Sequence, residues 1–515
     1  MNGAESLVRT LVINGVEVCF TNPGTSEMHF VAAIDKVDGM RGVLGLFEGV
    51  VTGAADGYYR MAGKPACTLL HLGPGLGNGL ANLHNAKKAG SGIVNIVGEH
   101  ATYHLKHDAP LTADIEGIAR PVSHWVKASA DARSLARDCA AAIQAAREAP
   151  GHIATLIGPA DTAWGEADGP AEAAPPAARR PAAAAAVREC AQALTSGEPA
   201  MLMLGGAALR GRALELAGRI AAKTGCRLMA EYNNARMECG AGRVCVDRLP
   251  YVVDNALAAM KGTRRLVLAG AKVPVSFFAY PGKPSVLSPE DCVPATLAGI
   301  ADDLEGALEA LAAEVGALGT PPAPVNELKR PALPDGAVTP DGIAAVLAAL
   351  LPENAVVADE SITSGRNLGA FMATAAPHDW MQIRGGSIGW ALPAATGAAI
   401  GAPDRKIVAL EGDGSGMYTL QALWTMAREN LDVTVVVLAN RSYQILHGEL
   451  RNMGAGTPGQ RAKDMLTLDR PHLDWTALAQ GLGVEAARAE TLDALARALR
   501  RAFSRRGPYL IELVI

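Results

Sequence analysis

Short runs of consecutive apolar residues recur along this chain, each separated from the next by a stretch of helical periodicity, and this alternation restricts the fold more than any other feature. Helical spacing at Leu7, Val8, Leu11 and Val12 gives way to apolar runs over residues 16–20, 42–46, 66–70 and 93–97. A run that is apolar at successive positions buries both faces of a strand, as happens when helices cover both sides of a parallel sheet. The alternation returns with strand-like runs at 200–204 and 266–269, and again at 355–358, 406–410, 433–438 and 509–514. A tract of Ala, Pro and Gly over residues 165–186 and a Pro-rich segment at 321–334 lack the large apolar residues of a core and read as exposed linkers. A chain of 515 residues is long enough for several cores. The expectation is three doubly wound, parallel-sheet α/β domains: residues 1–165, 186–316 and 338–515.

Charge and composition exclude several classes of partner. The formal charge is −5 and no long run of Lys or Arg occurs, so the chain offers no electrostatic footprint for nucleic acid or an anionic membrane surface. No segment reaches the roughly 18 apolar residues of a membrane span, and residues 1–12 do not read as a secretion signal. The 8 cysteines are scattered without CxxC or zinc-ligand spacing, which suits reduced, mostly buried thiols. A cytoplasmic protein with small-molecule partners is expected.

The stretch from Ile407 to Asn440 carries the most chemistry. An apolar strand ends in Glu411, Gly412, Asp413, Gly414 and Ser415; a helix follows, and a second strand ends at Ala439 and Asn440. At the carboxyl edge of an open α/β sheet, glycines let backbone approach a ligand and a following helix N-terminus offers N–H groups to phosphate oxygens. Asp413, Asn440 and the backbone carbonyl of Ser442 are hard oxygen donors of the kind Mg²⁺ accepts alongside phosphate oxygens. A lone Gly-Asp-Gly is most often a turn; here its partner Asn lies 27 residues on, after a complete helix and strand.

That pattern resembles the motif of the thiamine diphosphate enzymes of the acetolactate synthase, pyruvate oxidase and benzoylformate decarboxylase superfamily, with Ala439 in place of the first of two asparagines. The resemblance runs along nearly the whole chain and implies a pyrimidine-binding, a central and a diphosphate-binding domain. It implies that Asp413, Asn440 and Ser442 hold Mg²⁺ and that Gly412, Gly414, Ser415 and Tyr443 lie on the diphosphate, with Ser361 and Thr363 also at the cofactor. The run from Gly385 to Pro393 resembles the family segment under the thiazolium ring, so Gly386 and Ser387 would touch the cofactor and Ile388 would wedge between its two rings. In the run Leu46, Phe47, Glu48, Gly49, Glu48 matches the glutamate that shares a proton with the pyrimidine ring and so makes the amino group a base. Pro23 and Asn78 would face the cofactor, Thr25 would bind substrate, and His71 would transfer protons.

The pocket is less determined. Ile445, Leu446 and Glu449 share one region of a helix start, and Glu449, which replaces a large aromatic residue of benzoylformate decarboxylase, could donate a proton, repel an anion or face solvent. Near Pro281 the chain reads Phe277, Phe278, Ala279, Tyr280 where that relative has a second catalytic His. No flavin pattern is recognised in the central segment. The resemblance implies acetolactate synthase-like carboligation after decarboxylation of a 2-oxo acid, or, alternatively, non-oxidative decarboxylation of the benzoylformate type. It also implies a homodimer or homotetramer with active sites between subunits. A non-catalytic cofactor-binding subunit and a nicotinamide-dependent dehydrogenase are the competing readings; for the latter, the glycines from Gly73 to Gly79 have the wrong spacing.

Overall fold

A computed structural model describes residues 1–515 and contains three sheets. The first has six parallel strands in the spatial order Arg41–Leu44, Val18–Asn22, Ala66–Leu70, Ile93–Glu99, Ile153–Pro159, Trp125–Ala128. The middle sheet has five parallel strands, with Ala200–Leu204 between Arg227–Ala230 and Arg265–Ala269. The third has seven. Six of these, Glu485–Ala489, Tyr509–Val514, Val433–Ala439, Ile407–Gly412, Val356–Glu360 and His378–Gln382, are parallel and repeat the strand order of the first sheet.

The seventh strand departs from the expected all-parallel arrangement. Met237–Cys239, from the middle of the chain, pairs antiparallel with His378–Gln382 at the edge of the third sheet. Arg236 anchors the crossing through an ion pair with Asp379 at 2.8 Å. Nothing in this three-residue segment has strand periodicity of its own; its partner supplies the pairing.

Alternate side chains of the third sheet enter two different cores. Val357, Val408, Leu410, Val436 and Leu438 join a cluster that includes Leu202, Leu216 and Val267 of the middle unit. Val356, Ala358, Ile407, Ala409, Val433, Val435 and Val437 join one that includes Val50, Leu76 and Ile93 of the first. This two-residue alternation is the pleat of a strand buried on both faces.

Helix Glu48–Ala62 lies against helix Ala391–Gly401 at a distance only small residues permit. A Cβ at Gly57 would stand 2.0 Å from the Ala394 carbonyl oxygen, and one at Gly397 would stand 1.8 Å from that of Ala54. Buried Asp56 and Arg60 pair at 2.7 Å beside this seam. Arg60 also donates to the carbonyls of Ala235 and Gln382, and the Trp390 indole N–H donates to Asp56 at 2.7 Å. One buried ion pair thereby touches all three units.

Candidate active site

In both outer sheets the connections leave in opposite directions from the first and third strands in chain order, which are neighbours, and a crevice opens at the carboxyl edge between them. In the first sheet this point lies between Val18–Asn22 and Ala66–Leu70, so residues 23–27 and His71 flank it. In the third it lies between Val356–Glu360 and Ile407–Gly412, flanked by Ser361 and Asp413.

At the first crevice Glu48 begins helix Glu48–Ala62 and is 8% exposed. Its Oε2 accepts from Asn78 Nδ2 at 2.9 Å. The glycine-rich run beyond His71 is the start of helix Leu72–Ala89. There glycine serves close approach: a Cβ at Gly75 would lie 3.1 Å from Glu48 Oε1 and 3.2 Å from His71 Cβ, so both side chains flank the same bare backbone. His71 Nδ1 faces Glu27 Oε2 at 2.8 Å, and Glu27 also accepts from the Gly24 N–H at 2.7 Å. Glu27 is fully buried, and burial pushes its carboxyl above the ordinary range against the opposing pull of His71 and Gly24. Its Oε1 has no partner, and Gly98 leaves the space it occupies. With Glu27 ionised, His71 Nδ1 carries the shared proton and Nε2 is left to exchange one. Pro23 lies at this edge half-buried, and Thr25 is exposed on the short turn Thr25–Glu27.

At the third crevice Asp413 is buried and burial raises its carboxyl to about 6, with the N–H groups of Arg441 and Gly414 opposing. Those N–H groups donate to Asp413 Oδ2 at 2.6 Å and Oδ1 at 2.9 Å, and Asn440 Oδ1 accepts from the Ser442 N–H at 3.0 Å. Arg441 takes a left-handed φ of 55°, which turns the chain so that Asn440 and Ser442 flank Asp413. A buried carboxylate held only by backbone dipoles, beside an amide oxygen, fits a divalent cation by both charge and donor type. Tyr443 lies on Gly414, where a Cβ would meet its ring at 2.5 Å. The helix after the motif is two pieces, Asp413–Gly416 and Ala422–Arg428.

Ile388 stands half-buried between Gly386 and Gly389, whose φ values of 79° and 90° form a protruding turn. The Ser387 backbone is clamped by Asn85, while Asn82 donates to Gly389 O at 3.1 Å and to Gly49 O at 2.8 Å, tying this turn to the residue after Glu48. Ser361 is turned to Asp359 at 2.5 Å, and Thr363 is half-buried in the following turn.

Two carboxylates lie beneath this turn: Glu360, which the sequence did not single out, and Glu411, which it marked only as a strand end. Glu360 accepts from the N–H groups of Gly389, Trp390 and Ala391, each at 2.7 Å, and burial lifts it to about 7. Glu411, its cross-strand partner, accepts from Ser415 at 2.5 Å, and burial together with Glu360 drives it well upward. Glu27 was not among the residues the sequence singled out. Its one signal was position, since it follows a strand end by five residues.

The pocket helix Gln444–Asn452 separates its three candidates. Leu446 is 42% exposed and Ile445 half-buried, whereas Glu449 turns towards the middle unit, with Oε1 accepting from the Tyr251 hydroxyl at 3.4 Å. Solvent is therefore not what Glu449 faces.

Paired sheets of one topology, each with polar groups at its switch point, define a class of α/β proteins with two ligand crevices. The chain belongs to the thiamine pyrophosphate enzyme family. The N-terminal TPP binding domain of these enzymes matches residues 1–118 and the C-terminal TPP binding domain matches residues 364–513. The chain is 53% identical over its full length, and 99% of the relative's, to the Mycobacterium tuberculosis protein named "Putative acetolactate synthase large subunit IlvX". It is 30% identical to benzoylformate decarboxylase of Pseudomonas aeruginosa, over 97% of this chain and 96% of that one. In fold it is similar to the thiamine diphosphate-dependent 4-hydroxybenzoylformate decarboxylase of Rhodococcus jostii RHA1, with a TM-score of 0.87 and 24% identity over 99% of this chain and 98% of that one. The three-unit α/β fold expected from the sequence is the fold of these enzymes. No helix is long and apolar enough to cross a membrane.

Proposed function

We propose that this enzyme decarboxylates a 2-oxo acid with thiamine diphosphate and Mg²⁺ and then protonates the product at carbon, with Glu48 and His71 as catalytic residues. The observation that carries this reading is the Glu27–His71 pair at 2.8 Å beside Glu48, a proton-transfer group at the edge where the cofactor's reactive half would lie. When bound, the cofactor supplies a nucleophilic carbon and a sink for the electrons released with CO₂. Glu48, steadied by Asn78, would hold a proton at the aminopyrimidine; Ile388 would support the cofactor from below; Asp413, Asn440 and the Ser442 carbonyl would hold the metal, and Gly412, Gly414, Ser415 and Tyr443 would bound the diphosphate. His71, fixed in orientation by Glu27, delivers a proton from Nε2. Carboligation, which sequence reading had placed first, is the second reading and rests on the name of the 53% identical relative. A homodimer or homotetramer completing each site across an interface belongs to the same proposal.

The test supplies the purified protein with thiamine diphosphate, Mg²⁺ and a panel of 2-oxo acids, and measures CO₂ and products. Glu48→Gln is expected to lower CO₂ release by about 100-fold or more, and His71→Ala to lower aldehyde formation by a similar factor. Hydroxyketone or 2-hydroxy-2-alkyl oxo acid products in place of aldehyde would establish carboligation. Cofactor binding without CO₂ from any acid would falsify both readings.

A further inference from the structure

Aromatic side chains of the middle unit gather over the cofactor-side turn of the third. Phe277 lies on Gly386, where a Cβ would be 2.6 Å from its ring. Its centroid is 5.6 Å from that of Tyr251 and 4.9 Å from that of Phe278, while Tyr232 stands 5.2 Å from Tyr251. Phe277 and Phe278 remain 44% and 46% exposed, so the wall has an open face. Glu449 closes one end of it. Oε1 meets the Tyr251 hydroxyl, Tyr280 faces the same group, and Oε2 is buried without any hydrogen-bond partner. Burial, the facing Tyr280 and Glu449 together push the Tyr251 phenol far above its usual range, which keeps it a neutral donor.

A carboxylate oxygen withdrawn from water without a donor is costly, and neither phenol brings a positive charge to balance it. Aromatic faces beside such a carboxylate complement one kind of group, a cation with an apolar stem. We infer that Glu449 is a specificity-determining residue that selects a 2-oxo acid bearing an ammonium or guanidinium group at its far end, its apolar stem lying along Phe277 and Tyr251. This rests on the proposed action on 2-oxo acids, the reacting carboxylate being at the opposite end of such a substrate from its charged group.

Three substrates of one shape test it: 4-(aminomethyl)benzoylformate, 4-hydroxybenzoylformate and 4-methylbenzoylformate, each with thiamine diphosphate and Mg²⁺. The wild type is expected to favour the cationic acid over the methyl acid at least tenfold in kcat/KM. Glu449→Gln should lower kcat/KM for the cationic acid relative to the methyl acid at least tenfold and so abolish that preference, whereas Tyr251→Phe, which keeps the carboxylate, should retain it. Calorimetric binding of unreactive 4-(aminomethyl)phenylacetate, weakened tenfold by Glu449→Gln, provides a readout independent of turnover. Turnover of all three acids without a cationic preference, a preference for the hydroxyl acid, or equal binding to wild type and Glu449→Gln overturns the inference. Binding that depends on Glu449 without turnover of any acid supports it while sinking the proposed reaction.

Discussion

His378 shows how one residue can escape sequence reading and still contribute to the chain's response to acid. It is 3% exposed, its Nδ1 facing the Ala376 carbonyl at 2.7 Å while Nε2 has no partner, and burial lowers it to about 4. The unfolded chain takes up this proton near pH 6.5 and the folded chain only near 4. The contribution of this residue to stability is therefore complete above 6.5 and is lost as pH falls towards 4, by on the order of 3 kcal/mol in all. Between pH 7 and 5 the urea midpoint of the wild type should decline relative to that of His378→Leu, because the other buried titrating groups are common to both; parallel slopes would contradict the assignment. Glu48, Asp413 and Asn440 stand out as candidates in the sequence because each lies just after a strand end in a stretch that resembles a motif of the family. Glu27 and Glu360 could not, since their partners His71 and residues 389–391 are distant in sequence and meet them only across the sheet.

Among elements, the interior strands were legible and the marginal ones were not. Ala66–Leu70 and Tyr509–Val514 coincide with their apolar runs. His378–Gln382 reads as polar, yet its Asp379 and Trp380 are buried because Arg236, Arg405 and Asp359 come from elsewhere to satisfy them. Helix contacts follow the same logic, because a glycine's neighbours decide what a methyl group does there. Gly57→Ala should force helix Glu48–Ala62 off the Ala394 backbone and cost about 3 kcal/mol. Gly77→Ala, at a helical position with nothing within 4 Å, should stabilise by about 0.5–1 kcal/mol. Thermal unfolding of the two variants distinguishes these outcomes; shifts of the same sign would contradict the packing described.

Across the whole molecule, the Asp56–Arg60 pair couples three units through one buried contact. Removing Arg60 strands the carboxylate of Asp56, which has 0% exposure, and releases the carbonyls of Ala235 and Gln382. Arg60→Ala is expected to cost about 3–5 kcal/mol and to broaden or split the calorimetric transition; a single sharp transition at the wild-type temperature would argue that the units are held together elsewhere. The strand Met237–Cys239 has a further consequence for how the protein can be divided. A fragment beginning at residue 338 would lack it, and His378–Gln382 would become a bare rim of unpaired N–H and C=O groups, a template for stray strands. Such a fragment should self-associate on expression, and a synthetic peptide spanning residues 234–242 should suppress that association by restoring the missing hem.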